Sequence, residues 1–243
     1  MIRGLDTFRK YFKDSEKDYV LIGGVACSLW FDDFGDSFRP TKDFDVVLIV
    51  EALDNNFFNR FKEFIDKGGY RHKEKSSGAQ QHYRFDKPTV ESFPYSIELF
   101  GYSKDNLFSN DRSFKIRQND DSISLSALFL DPEYYGLLKE QSSSLDGLSL
   151  LSPQALLVFK AKAFLDLSKR HAIDKDVSKD NIRKHYKDVL SLARIISPNK
   201  IIPLGKKIYG DLMDFVKIAM KDKDAEPDTY EELALIKNVY KPV

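Results

Sequence analysis

The sequence predicts a mixed α/β domain, a sheet with flanking helices, followed by a helical domain. Three observations lead there. Short runs rich in β-branched and aromatic residues alternate with amphipathic stretches over residues 1–150. The pair Gly23-Gly24 joins one such run to a helical segment, and Asp43-Phe44-Asp45 opens the next run. From 151 to 243 the apolar pattern is almost entirely helical.

Taken in order, residues 5–17 set Leu5, Phe8, Tyr11 and Phe12 at helical spacing, an amphipathic helix to lay on the sheet. Residues 19–22 and 44–50 read as buried strands, with a helix over 25–31 between them. Phe57, Phe58, Phe61, Phe64 and Ile65 recur at three and four, giving a helix over 54–67 that stops at Gly68-Gly69. Strands are expected at 70–75, 81–85 and 96–100, with a loop at 76–79. Further strand-like runs lie at 114–117, 123–130, 134–138 and 145–151, separated by turns at 119–121 and 131–132. Ser152-Pro153 then opens a helix with a hydroxyl cap and a first-turn proline. Helices are expected over 153–169, 179–196, 201–220 and 228–239.

With 243 residues the chain can bury a sizeable core, as one large domain or two small ones. The expected division is 1–150 and 151–243. Hydrophobic residues are 42% and charged residues 31%, so long disorder is not expected. Thirty-eight basic and thirty-eight acidic residues cancel, which argues against nucleic-acid binding through overall charge. Cys27 is the only cysteine and the four histidines lack zinc-ligand spacing, so a metal is expected to be oxygen-ligated. No run has the apolar core of a signal peptide or a membrane span, and the expected location is the cytoplasm, with no membrane partner.

The chemistry gathers around residues 19–50. Gly23-Gly24 at a helix start leaves backbone N–H groups clear of side chains, an arrangement suited to a phosphate. Strand alternation puts Asp43 and Asp45 on one face and Phe44 and Val46 on the other, and two acids on one face favour a divalent metal. Glu98 lies opposite Ile97 and Leu99 in its own strand, where an acid is costly to bury unless paired or bound to metal. In the helical part, Lys160 falls in an apolar stripe with Leu156, Phe164 and Leu167, where a lysine needs an anionic partner or must snorkel to solvent. Lys162 faces Asp166 one turn on, which explains it fully. Asp188 sits at the margin of the next helix's apolar face, as a site residue or as half of a helix-to-helix ion pair.

The run Gly23-Gly24-Val25-Ala26 followed by Arg39-Pro40-Thr41-Lys42-Asp43-Phe44-Asp45 resembles the nucleotidyltransferase superfamily. Within it the chain is similar to the AbiEii-type toxin branch of bacterial toxin–antitoxin systems, in which Arg39, Thr41, Asp43 and Asp45 fit the usual pattern. Pro153, Leu156, Leu157, Lys160, Lys187 and Asp188 match that branch as well, although Ser191 stands where it often carries another Asp. The resemblance implies a nucleotidyltransferase-like sheet with a helical domain closing over the nucleotide. It implies an NTP as donor, two magnesium ions on Asp43, Asp45 and Glu98, and a hydroxyl acceptor on tRNA or protein. Gly23, Gly24, Thr41 and Lys160 are then the nucleotide contacts, with Lys160 and Asp188 counted among the catalytic residues. A cognate antitoxin is an expected partner. The basic side of the 181–196 helix, with Arg183, Lys184, Lys187 and Arg194, is a candidate RNA contact. Two other expectations stand beside this one: transfer to a small hydroxylated compound such as an antibiotic, and a catalytically silent binding module on the same fold.

Overall fold

The structure is a computed structural model that describes residues 2–74, 80–102, 113–117, 124–173, 177–223 and 225–243, with backbone alone at 72–74, 80–82, 113–117 and 124–129. The loop expected at 76–79 and the turn at 119–121 lie outside the described residues. The chain divides into two compact units, Met1–Leu151 and Ser152–Val243.

In the first unit the elements run α1 (Leu5–Tyr11), β1 (Tyr19–Ile22), α2 (Gly23–Asp33), β2 (Asp43–Leu48), α3 (Asn55–Gly68), β3 (Arg71–Glu74), β4 (Gln80–Asp86), β5 (Ser96–Gly101), β6 (Ser113–Arg117), β7 (Ser124–Phe129), α4 (Pro132–Glu140), β8 (Ser142–Leu145) and β9 (Leu148–Leu151). They build one mixed sheet in the order β3-β4-β5-β2-β1-β9-β8. The sheet forks at β5. Its first residues pair with β4, while Phe100 and Gly101 pair with β7, which carries β6. Strands β2 and β5 are parallel, as are β1 and β9, whereas β1 and β2 are antiparallel despite the helix between them.

One face of this sheet is an aromatic layer. Phe44, Ile97 and Phe85 register across β2, β5 and β4, and α1 and α3 lie over that row. Phe8 of α1 meets Phe44 at 5.4 Å between ring centroids, and Phe61 of α3 meets Phe85 at 5.8 Å. Phe64 stands at the centre, against Phe8, Tyr11, Phe12, Tyr70 and Phe93. Helix α3 begins as its sequence implies, with the Asp54 carboxylate accepting from the Phe57 N–H at 2.8 Å. It ends at Gly69, whose φ of 61° is the left-handed cap that glycine favours.

Several expectations need correction. Residues 134–138 are helical, within α4. Asp131 caps its start by accepting from Glu133 N–H, Pro132 occupies the first turn, and Tyr134, Tyr135, Leu137 and Leu138 are a helical stripe rather than a strand. The single strand at 145–151 is a hairpin, β8 and β9. Asp146 (φ 50°) and Gly147 (φ 71°) form its two-residue turn, with Leu145 opposite Leu148. Helix α1 stops at Tyr11, short of residue 17, and α2 begins at Gly23, two residues earlier than its apolar pattern indicated.

The second unit contains α5 (Pro153–Ile173), α6 (Lys179–Ile195), β10 (Ile202–Leu204), α7 (Lys206–Ala219), α8 (Thr229–Val239) and β11 (Tyr240–Pro242). The helix expected over 201–220 starts only at Lys206, because Pro203 sits in an extended segment that pairs in parallel with β11. The Ser152 cap is as read, its Oγ accepting from Ala155 N–H, and Ser178 Oγ caps α6 by accepting from Asp180 N–H. Leu156, Leu192, Leu212, Phe215 and Ile236 are fully buried in its core. Among the described residues no helix is long and apolar enough to cross a membrane.

Truncating Phe64 removes the ring that five other aromatic residues pack against. Phe64→Ala is expected to destabilise the first unit by about 3–5 kcal/mol, read as a lowered denaturant midpoint with unchanged slope.

Candidate functional site

The sheet brings the acidic residues together by register. On the face opposite the aromatic layer, Asp45 of β2 pairs directly with Glu98 of the parallel strand β5, and Asp43 with Ser96. Burial follows the alternation. Phe44, Val46, Ile97 and Leu99 are at most 1% exposed, while Asp43, Asp45 and Glu98 are half-buried. On the other side of β2, Asp45 registers with Ile22, the last residue of β1, so the start of α2 comes beside it.

That approach is tight. Gly23 has a φ of 69°, and a methyl group built on it would come within 1.9 Å of Asp45 Oδ2. A methyl group on Gly24 would come within 2.3 Å of Thr41 Oγ1. The two glycines are therefore needed for close packing against Asp45 and Thr41. The space at the start of α2, expected to be clear of side chains, is shared with this carboxylate and this hydroxyl. A carboxylate is favourably placed at the positive end of a helix. Gly23, Gly24, Thr41, Asp43, Asp45 and Glu98 thus meet at one edge of the first unit.

The carboxylates are partnered within the protein. Ser96 Oγ donates to Asp43 Oδ1 at 2.5 Å. Glu98 Oε2 lies 3.4 Å from Nη1 of Arg84, which faces it from β4 in direct register. Among the described residues no group of three or more His, Cys, Asp or Glu is arranged to hold a metal ion. Three carboxylates on one face are nevertheless the donor type that magnesium takes, and Asp45 and Glu98 already stand side by side. To serve as ligands, Asp43 and Glu98 would exchange Ser96 and Arg84 for the ion.

Ser96 and Arg84 were not singled out from the sequence. Arg84 carried a signal, a cation between Tyr83 and Phe85 in a strand, the same pattern that exposes Glu98. Ser96 carried none, since a serine at a strand start is common.

In the second unit, Lys160 of α5 and Asp188 of α6 pair with each other, Nζ to Oδ2 at 2.9 Å, with side chains 7% and 2% exposed. The anion that Lys160 requires is thus present within the helical unit. Lys162 bonds Asp166 as expected and also reaches Asp211 at 3.3 Å. On α6, Arg183, Lys187 and Arg194 line a groove whose far side carries Asp222 and Glu226, so its charge is mixed. Arg194 is already paired with Glu232, whose carboxyl burial pushes up from the usual range.

Two outcomes follow. Gly23→Ala combines a left-handed backbone with a clash on Asp45, and is expected to destabilise by about 1–3 kcal/mol, measured as a fall in Tm. Lys160→Met or Asp188→Leu alone leaves a buried charge without its partner and is expected to cost about 3–5 kcal/mol. The double variant removes both charges and is expected to recover most of that loss in denaturant melts.

No family model matches the sequence, and neither does the sequence of any curated protein. The structure is similar to a crystal structure titled as that of an antigenic nucleotidyltransferase-like protein from Paracoccidioides brasiliensis. The identity is 16% and the TM-score 0.44, over 99% of this chain and 97% of that one.

Proposed function

We propose that the chain is a magnesium-dependent nucleotidyltransferase that moves a nucleoside monophosphate from an NTP to a hydroxyl on tRNA or protein. The single observation that supports it most is the pairing of Asp45 with Glu98 beside the Gly23 turn. In this proposal Asp43, Asp45 and Glu98 hold magnesium, whose chemistry when bound is to lower the pKa of an acceptor hydroxyl and neutralise triphosphate charge. Backbone N–H groups at the start of α2 and the Thr41 hydroxyl orient phosphate oxygens. The acceptor hydroxyl gives up its proton to solvent as its oxygen attacks the α-phosphorus, the bond from that phosphorus to the bridging oxygen breaks, and pyrophosphate leaves with the bond's electron pair. A role as the toxin of a toxin–antitoxin pair belongs to the same proposal and rests on the sequence motifs alone.

The acceptor class follows from no single patch. The α6 groove with Arg183 and Lys187 is the proposed RNA contact, its strength limited by Asp222 and Glu226 across from them. Lys160 and Asp188 enter through the double variant described above. Loss of transfer in a folded double variant would assign the pair to the chemistry, and retained transfer would leave it to helix packing.

A second reading has its own observation. Asp43 and Glu98 are held by Ser96 and Arg84, and no three-acid cluster converges among the described residues. On that ground the chain would be a catalytically silent binding module.

Incubation with labelled NTPs, total tRNA and cell extract is expected to label an acceptor with wild type. Asp45→Ala is expected to reduce labelling on the order of 100-fold or more while circular dichroism and Tm show a folded protein. Labelling at the wild-type rate by Asp45→Ala would end the proposal. No magnesium-dependent thermal stabilisation by any of the four NTPs would favour the binding module.

A further inference from the structure

We propose that Arg84 is a further residue of this site, an anion contact that rests on Glu98 and turns to a phosphate of the nucleotide once Glu98 takes the metal. The inference rests on the nucleotidyltransferase reading above. Its basis is a row of registered residues on one face of the sheet: Asp45 on β2, Glu98 on β5 and Arg84 on β4. Two carboxylates and a guanidinium stand on consecutive strands, within the span of a polyphosphate.

Three features separate Arg84 from an ordinary surface arginine. Its side chain is 27% exposed and that of Glu98 is 20% exposed, so the pair is substantially withdrawn from water. The contact, Nη1 to Oε2 at 3.4 Å, is longer than the charge-assisted hydrogen bonds that a guanidinium can make with a carboxylate. Its Nε is buried and makes no hydrogen bond among the described residues. The guanidinium is thus engaged loosely through Nη1 while its Nε is left over, and an unpaired buried donor carries a desolvation penalty.

Moving Glu98 oxygens to a metal would weaken the ion pair that Arg84 makes among the described residues. A partly buried guanidinium then needs another anion. The phosphates of a nucleotide bound on the same face are that anion, and the planar fork matches their oxygens. Lysine, a point charge on a longer hydrated stem, meets this demand only in part.

The test is equilibrium binding by titration calorimetry of each Mg·NTP in turn, alongside Mn2+ alone followed by electron paramagnetic resonance. Wild type is expected to bind at least one NTP with magnesium. Arg84→Gln is expected to weaken that nucleotide by about tenfold or more while binding Mn2+ at least as tightly as wild type. Arg84→Lys is expected to recover part of the nucleotide affinity. Wild-type nucleotide affinity in Arg84→Gln overturns the inference, as does equal weakening of Mn2+ and nucleotide, which would make Arg84 a strut for Glu98. Should Arg84→Gln fail to fold, Arg84→Lys decides, with several-fold weaker nucleotide at unchanged Mn2+ expected and unchanged nucleotide overturning. Absence of metal-dependent binding of any NTP to wild type overturns the nucleotidyltransferase reading itself, an outcome distinct from failure of the arginine alone.

Discussion

The constraint on which the candidate site depends is the contact between Gly23 and Asp45. The antiparallel register of β1 and β2 sets Ile22 opposite Asp45, so the chain must leave the sheet and enter α2 at the point where the carboxylate stands. A positive φ and the absence of a Cβ make that entry feasible. Gly24 repeats the condition against Thr41. The start of α2 and the Asp45 carboxylate are therefore brought together by one backbone turn, and any side chain at Gly23 would push them apart.

The rest of the first unit holds that edge in place from behind. Phe44, between the two aspartates, anchors β2 in the aromatic layer, and Ile97 and Leu99 do the same for β5 around Glu98. Alternation of period two means that burying these apolar residues directs the acids to the opposite face. The hydrophobic stabilisation of α1 and α3 on the sheet thus positions the polar groups of the opposite face. Arg84 belongs to the same scheme, since Phe85 beside it is buried and paired with Ile97.

In the helical unit the dominant polar feature is the pair of Lys160 and Asp188. Two charges withdrawn from water are costly, and their attraction offsets the cost only because each has the other at hydrogen-bond distance. The pair joins α5 to α6 in one rotational setting. The Arg194 and Glu232 contact does the same for α6 and α8 at the surface side of the bundle.

Local pattern determined much of this protein. Alternation in β2 and β5, the helical spacing of the phenylalanines in α3, its stop at Gly68-Gly69 and the glycine pair were all legible, because each is a relation between residues a few positions apart. The acid-x-acid strand and an acid between apolar neighbours marked Asp43, Asp45 and Glu98 as candidates, and the register of β2 and β5 sets Asp45 beside Glu98. Tertiary structure alone decided who partners whom. Register across β4, β5 and β2 set Arg84 against Glu98 and Ser96 against Asp43, and helix packing set Asp188 against Lys160. These contacts join residues 14, 53 and 28 positions apart. Period and propensity carry no information about such pairings, and the short runs at 134–138 and 145–151 were misread for the same reason. Their apolar composition suits helix and strand alike, and Asp131-Pro132 and Asp146-Gly147 select between them only through the geometry of the turns they make.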